Sequence, residues 1–435
     1  MIPSENKVVV VGLGYVGLPS AAIMANAGWR VHGVDVNEGL VAELQQGKCR
    51  IGEAEVQNIV SKALKSGRLS VSTTAEAADI FIICVPTPIT DDNRADLSMV
   101  QAAAEATSRF VKPGNLVILE STSPIGTTEN VIGKALRAFG LNPYTDVDVA
   151  YCPERVFPGA TVSEILNNDR VIGGLTTQAA LRAKRFYEAF CHGVASTTTA
   201  AAAEFSKLME NTYRDVNIAL ANVFGHVAEC AGVDVMAVIE SANRHPRVNV
   251  HLPGPGVGGH CIPVDPHFLV ESFPRQTALI KMSRDINDSQ ADHIVDRLVD
   301  AGLPDGAKVA LLGAAYRGNI DDARETPTEL LIHALANRGL KWAVHDPLVK
   351  RFVPHGDINP HLTNTLDEAI ADVDALVVVT DHDEYRDLSP FQLGGMKGRL
   401  VYDTRRIVDD AAFLGSDWTL LRVGAPSLNA AVTDA

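Results

Sequence analysis

The valines at 8–11 run straight into GLGYVGLP, so that Gly12, Gly14 and Gly17 fall at GxGxxG spacing directly after an apolar run. That order demands a buried strand, a tight turn and a helix entered at its N-terminus, and predicts a helix over 18–27. Gly12 permits the turn, Gly14 lets a pyrophosphate approach the backbone, and Gly17 lets the helix pack closely, with Tyr15 and Val16 between them on the cofactor side. The helix N-terminus adds N–H groups and a positive dipole end. The next apolar run, RVHGVDVN, ends at Asp35, 18 residues beyond Gly17. A carboxylate there accepts hydrogen bonds from both ribose hydroxyls and repels a 2′-phosphate, so the cofactor expected is NAD.

Short β-branched runs at 7–11, 30–34, 80–85, 116–120, 147–151 and 170–173 alternate with helical stretches, as in a parallel sheet buried on both faces. Ligands of such sheets lie beyond the carboxyl ends of the strands. CVPTP therefore puts Pro86 and Thr87, and ESTSPIGTT puts Ser121 and Thr122, at the cofactor or the reacting group, although hydroxyls in these places also serve as ordinary helix caps.

From about residue 200 to 231 the strand signal stops, and Phe205, Leu208, Met209, Tyr213, Val216, Leu220, Val223 and Val227 recur at helical spacing. A helix of that length outruns one small domain, so it is expected to join two domains or to pack against a second subunit. Alternation resumes at 308–312, 341–345, 375–379 and 399–402. The expected class is α/β, with two Rossmann-like, doubly wound parallel-sheet domains (1–198 and 305–435) joined by a central helical domain (199–304) that contains one long helix. The last dozen residues carry little apolar pattern.

With 38 Lys plus Arg against 53 Asp plus Glu, a formal charge of −15 argues against a nucleic-acid partner. Six cysteines without a CxxC pair or a His/Cys cluster at zinc spacing read as reduced thiols with no metal site. The chain starts without the basic flank and apolar core of a leader, and no run of about 18 apolar residues appears, so no membrane partner and a cytoplasmic location are expected.

PGPGVGGHCIPVDPHF surrounds Cys261 with glycine and proline. Gly258 and Gly259 leave the backbone open to a bulky ligand and let N–H groups face a developing oxyanion. A free cysteine is more often a small buried hydrophobe, the reading given to Cys49, Cys84, Cys191 and Cys230. Cys261 departs from it through its glycines, its neighbour His260 and Asp265 four residues on. Lys207 and Asn211, four apart, share a helix face and are suited either to stabilising an oxyanion or to making a solvated polar face.

Together GLGYVGLP, CVPTP, ESTSPIGTT, CPERVFPG, EFSKLMENTYRDVNIALAN, GPGVGGHCIPVDP, GAAYRGNIDDARETP and VHDP resemble the UDP-glucose/GDP-mannose dehydrogenase family over nearly the whole chain. NRHPRVNVHLPGPGVGGHCIPVDP and NDRVIGG resemble its UDP-N-acetyl-D-mannosamine branch most, and its N-acetylglucosamine and glucose branches next. The resemblance implies a UDP-N-acetylhexosamine substrate and a homodimer through the long helix. It implies Cys261 as nucleophile, Lys207 and Asn211 as oxyanion stabilisers, Asp265 as the acid beside the thiol, and Thr122 and Glu154 at the nicotinamide–sugar junction. Arg324 is implied at the cofactor or the substrate phosphates, with Arg155, Val156, Arg214, Arg244, Arg247, His251, Gly258, Tyr316 and Arg317 on the substrate side. UDP-glucose members carry a second Glu four residues after the one matching Glu154, where this chain has Pro158, so the group that activates the hydrolytic water is left open. A β-hydroxyacid dehydrogenase is disfavoured by the third α/β segment and the GGHC loop. A non-catalytic NAD-binding redox sensor differs by releasing no reduced nicotinamide.

Overall fold

The computed structural model describes residues 7–156, 159–353 and 362–426. Pro158 and the C-terminal tail from 427 lie outside the described residues. The chain divides into two compact units at Glu210/Asn211: the first takes the residues before that point together with His267–Ser272, and the second takes Asn211–Pro266 and the residues from Phe273 onward.

Among the described residues, the first unit holds an eight-stranded sheet formed by β1 (Lys7–Val11), β2 (Arg30–Val34), β3 (Leu69–Ser72), β4 (Ile80–Ile83), β5 (Leu116–Leu119), β6 (Asp148–Tyr151), β7 (Arg170–Gly174) and β8 (Ala195–Thr199). The order is β3-β2-β1-β4-β5-β6-β7-β8. All pairings are parallel except β6 with β7, which run antiparallel. Both faces are buried: Val8, Val10, Ile80, Ile82 and Ile118 enter one core, and Val9, Val11, Phe81, Ile83 and Leu119 the other. That is why the strands read as apolar runs rather than as alternating patterns.

The helix Ala200–Ala231 has the limits its periodicity predicts; it begins in the first unit, and from Asn211 its residues belong to the second. Its apolar positions do not all share one fate, for Leu208 is fully buried while Tyr213, Leu220, Phe224 and Val227 stand exposed.

Among the described residues, the second unit carries a six-stranded parallel sheet of β9 (Lys308–Leu312), β10 (Lys341–His345), β11 (Leu362–Thr363), β12 (Ala375–Val378), β13 (Leu400–Asp403) and β14 (Thr419–Arg422), ordered β11-β10-β9-β12-β13-β14.

The two sheets repeat one device. In the first, Gly12 follows β1 at φ 93°, its N–H donates to the Val34 carbonyl at 2.8 Å, and Leu13 N–H donates to Asp35 Oδ2 at 2.8 Å. In the second, Gly313 follows β9 at φ 111°, its N–H donates to the His345 carbonyl at 2.7 Å, and Ala314 N–H donates to Asp346 Oδ2 at 2.8 Å. The carboxylates differ in surroundings. Asp35 is half-buried and also accepts from Asn37 N–H, whereas buried Asp346 accepts from Ala315, Leu348 and Val349 N–H and from His382 Nε2 as well.

Candidate active site

The dinucleotide end of the first sheet follows from its three glycines. A Cβ on Gly12 would stand 2.7 Å from the Cys84 carbonyl oxygen, and one on Gly17 would stand 1.9 Å from the Gly12 oxygen, so both positions are closed to any larger residue. A Cβ on Gly14 would meet nothing within 4 Å, leaving an open face where a pyrophosphate can lie. The helix Gly17–Asn26 starts at Val16 without a side-chain cap and without an acid in its first turn, so its leading N–H groups suit an anion. With Asp35 held beside the turn, these residues fit NAD. Tyr15 is exposed and Val16 half-buried.

The hydroxyls expected at the next two strand ends bind the backbone. Thr87 Oγ1 donates to the Thr122 carbonyl at 2.5 Å and Ser121 Oγ to the Val85 carbonyl at 2.6 Å, tying the two loops together, while Pro86 is exposed and Thr122 half-buried. Thr87 and Ser121 thus staple the loops in which the sequence placed them as ligand contacts.

Beyond β6, Glu154 is pushed up to about 7, by burial first and by the charge of Glu120 and Glu164, against Lys207 and Arg170, which favour its ionised form. Its Oε1 is buried with no hydrogen-bond partner among the described residues. Lys207 is 7% exposed. Arg155 pairs with Glu210 and donates to the Asp169 carbonyl, and Val156 packs on the core, so both are engaged within the first unit.

In the second unit, Cys261 is half-buried, and its carbonyl accepts from Val264 N–H at 3.2 Å and Asp265 N–H at 2.9 Å, a turn that leads into the helix Asp265–Ser272. Asp265 is 3% exposed, and its Oδ2 accepts from Asn211 Nδ2 at 2.5 Å, so two of the expected residues are in direct contact. The glycines before the thiol serve a purpose the sequence did not suggest. A Cβ on Gly258 would lie 2.7 Å from each of the Glu325 oxygen, Pro327 Cδ and Tyr316 Cβ, and one on Gly259 would lie 3.0 Å from the Tyr316 ring. The close approach they permit is that of the loop to 316–327 of the same unit. Burial, with the charges of Asp322 and Cys261, pushes the Tyr316 hydroxyl up to about 12, so it stays protonated beside the thiol.

The Cys261 loop is anchored at its far end. Gly254 N–H donates to Asn222 Oδ1 at 2.9 Å, Asn222 Nδ2 to Asn287 Oδ1 at 3.0 Å, and Asn287 Nδ2 to Asp215 Oδ1 at 2.9 Å, and Asp215 is paired with Arg284. Arg324 is half-exposed and grips Asp322 through Nε at 2.9 Å and Nη2 at 2.6 Å, while its carbonyl accepts from Gly259 N–H. Arg317 is half-buried. Arg214 and Arg247 are exposed, Arg244 pairs with Glu240 on its own helix at 2.9 Å, and the His251 ring meets Tyr213 edge-on at 6.4 Å. Cys230 is exposed on the long helix, unlike the buried cysteine expected there. Among the described residues, no group of three or more His, Cys, Asp or Glu is arranged to hold a metal ion, and no helix is long and apolar enough to cross a membrane.

Sequence reasoning missed the residues behind Glu154, namely buried Glu120 and Tyr187 and half-buried Arg170. Glu120 stood in a quoted motif, and a carboxylate ending a buried strand was the available signal.

Models of the UDP-glucose/GDP-mannose dehydrogenase family match in chain order: its NAD binding domain over residues 6–191, its central domain over 201–289 and its UDP binding domain over 310–410. A UDP-N-acetyl-D-mannosamine dehydrogenase of Methanocaldococcus jannaschii is 41% identical over 410 residues, 93% of each chain. An NDP-N-acetyl-D-galactosaminuronic acid dehydrogenase of Ralstonia nicotianae is 41% identical over 405 residues, 91% of this chain and 95% of the relative. The solved structure of a UDP-D-ManNAc dehydrogenase from Pyrococcus horikoshii superimposes with a TM-score of 0.88 at 36% identity, covering 96% of this chain and 99% of that one.

Proposed function

Because the chain belongs to the UDP-glucose/GDP-mannose dehydrogenase family, and is thereby an NAD-dependent oxidoreductase acting on a UDP-sugar, we propose that it oxidises the C6 alcohol of UDP-N-acetyl-D-mannosamine to the uronate through a covalent adduct on Cys261. The observation that carries the covalent step is the set around the thiol: half-buried Cys261 on a turn into the helix headed by Asp265, whose carboxylate is bonded to Asn211. NAD, when bound, supplies the two-electron acceptor for each oxidation.

The alcohol gives up a proton and a hydride to become the aldehyde, with Glu154, held at about 7, suited to take up or return protons at neutral pH. The Cys261 thiolate adds to the aldehyde carbon as a thiohemiacetal, which loses a second hydride to become a thioester. Water cleaves the C–S bond, releasing the carboxylate and restoring the thiol. Lys207 and the Asn211 amide are assigned to the oxyanion formed at each addition. Glu154, near its own pKa, is our candidate for activating that water in place of the absent second Glu.

We assign NAD recognition to residues 1–198, the thiol loop to 199–304 and UDP-sugar recognition to 305–435, with Thr122 at the reacting carbon and Arg244, Arg247, His251, Tyr316, Arg317 and Arg324 on the substrate side. The exposed Tyr213, Leu220, Phe224 and Val227 of the long helix support a homodimer through that face. The free cysteines support the cytoplasmic location we propose.

The test is stoichiometry. With excess NAD, UDP-N-acetyl-D-mannosamine should yield two reduced nicotinamides per sugar, and more readily than the N-acetylglucosamine, N-acetylgalactosamine or glucose nucleotides. Cys261→Ser should bind NAD normally and make no uronate; uronate formed at the normal rate by that variant would refute the covalent step.

A further inference from the structure

Glu120 follows β5 directly, is 4% exposed, and has no role in the reading above. Its carboxylate accepts from the Tyr187 hydroxyl at 2.5 Å and the Cys84 thiol at 3.0 Å. Burial first, then neighbouring negative charge, pushes both donors far above their ordinary ranges, so both remain protonated and Glu120 is the acceptor. The Arg170 guanidinium lies 4.6 Å over the Tyr187 ring and donates to the Ile165 carbonyl at 3.0 Å and to Cys152 Sγ at 3.8 Å.

Glu120, Glu154, Glu164, Arg155, Arg170 and Ser20 line one small, partly open cavity with room for about one water molecule. Glu154 Oε1, Arg155 Nε and Arg170 Nε are buried without a hydrogen-bond partner among the described residues. A space of that size with several polar groups on its wall suits one ordered water.

We infer that Glu120 is a positioning residue for proton transfer, its carboxylate and the Arg170 guanidinium, both on the wall of this cavity with Glu154, acting together to set the charge state of Glu154. The inference rests on the reading of Glu154 as the proton-transferring carboxyl. The charged groups that act on Glu154 are Lys207 from the long helix, Arg170 from β7, Glu120 from the end of β5 and Glu164 from the helix Thr161–Asn167, and Arg155, its chain neighbour, lines the same cavity. Lys207 and Arg170 favour its ionised form, and Glu120 and Glu164 oppose it. Neutralising Glu120 therefore lets Glu154 ionise at lower pH, and neutralising Arg170 delays ionisation.

The experiment is the pH profile of kcat at saturating NAD and UDP-sugar, with NAD affinity as the check on folding. Glu120→Gln should move the acid limb down by about one pH unit, Arg170→Gln should move it up, and Glu120→Asp, which keeps the charge, should leave it near wild type. A purely structural role would affect Glu120→Asp and Glu120→Gln alike without shifting the limb. An unmoved limb in folded Glu120→Gln overturns the inference; if that variant does not fold, an unmoved limb in Arg170→Gln does so. Glu154→Gln separates the two levels. Full turnover there removes the reading of Glu154 itself, whereas lost turnover with an unmoved limb in Glu120→Gln removes only the role of Glu120.

Discussion

Asn211 Nδ2 donates to Asp265 Oδ2 at 2.5 Å, binding the long helix to the first residue of the helix that follows the Cys261 turn. An asparagine amide has two N–H donors. One meets Asp265, and the other is assigned above to the oxyanion. Asn211→Leu should therefore lower kcat by roughly 10²- to 10³-fold with NAD affinity unchanged. Single-turnover reduction of NAD measures this, and a loss under threefold would refute the assignment.

The fingerprint glycines should separate fold from ligand. Gly17→Ala, whose Cβ meets the Gly12 oxygen at 1.9 Å, should destabilise the first unit, and Gly14→Ala, with nothing within 4 Å, should not. Gly14→Ala should instead weaken NAD at least about tenfold, or about 1.4 kcal/mol. Thermal melts and NAD titrations of the two variants check the contrast, and equal melting losses would contradict it.

The Arg284–Asp215 pair holds the chain of amides that ends on Gly254, and both residues are almost fully buried. Arg284→Met leaves the Asp215 carboxylate without its cation and should cost about 3–5 kcal/mol. Arg284→Met combined with Asp215→Asn should recover part of that loss. Denaturant unfolding of the single and double variants measures it.

Asp346 has its carboxyl held well below the usual range, in spite of burial, by His382 and by the backbone N–H groups of Val349 and Ala315. A lowered folded-state pKa contributes stability that is complete above the unfolded value of about 3.9 and is lost as pH falls through the folded one. Asp346→Asn should thus melt below wild type at pH 7, with the gap narrowing as pH drops below about 4. A gap independent of pH would mean that packing, not ionisation, is responsible.

The strands legible in the sequence were the interior ones. β3, β8, β11 and β14 were missed, and each is an edge of its sheet. An edge strand needs no apolar face on both sides and favours short or polar sequence: ASTTT at β8 is mostly exposed, and β11 has two residues. The fingerprint, Asp35 and the Cys261 turn were legible because local spacing fixes them. The packing of Gly258 against Tyr316 and Pro327 was not legible, because those neighbours lie nearly 60 residues or more along the chain. The link from Glu120 and Arg170 to Glu154 was not legible for the same reason, since a charge network exists only after distant strand ends meet.

The twin turns after β1 and β9 set how many dinucleotide berths one chain offers. A carboxylate has about four acceptor positions, and Asp346 takes four backbone N–H groups and an imidazole, so its capacity is spent inside the protein. Asp35 takes two and keeps the remainder at the rim. The second copy is thereby a welded joint and the first a socket, and a nucleotide held at the C-terminal sheet must be gripped by other atoms, so it does not compete with NAD for the same kind of handhold.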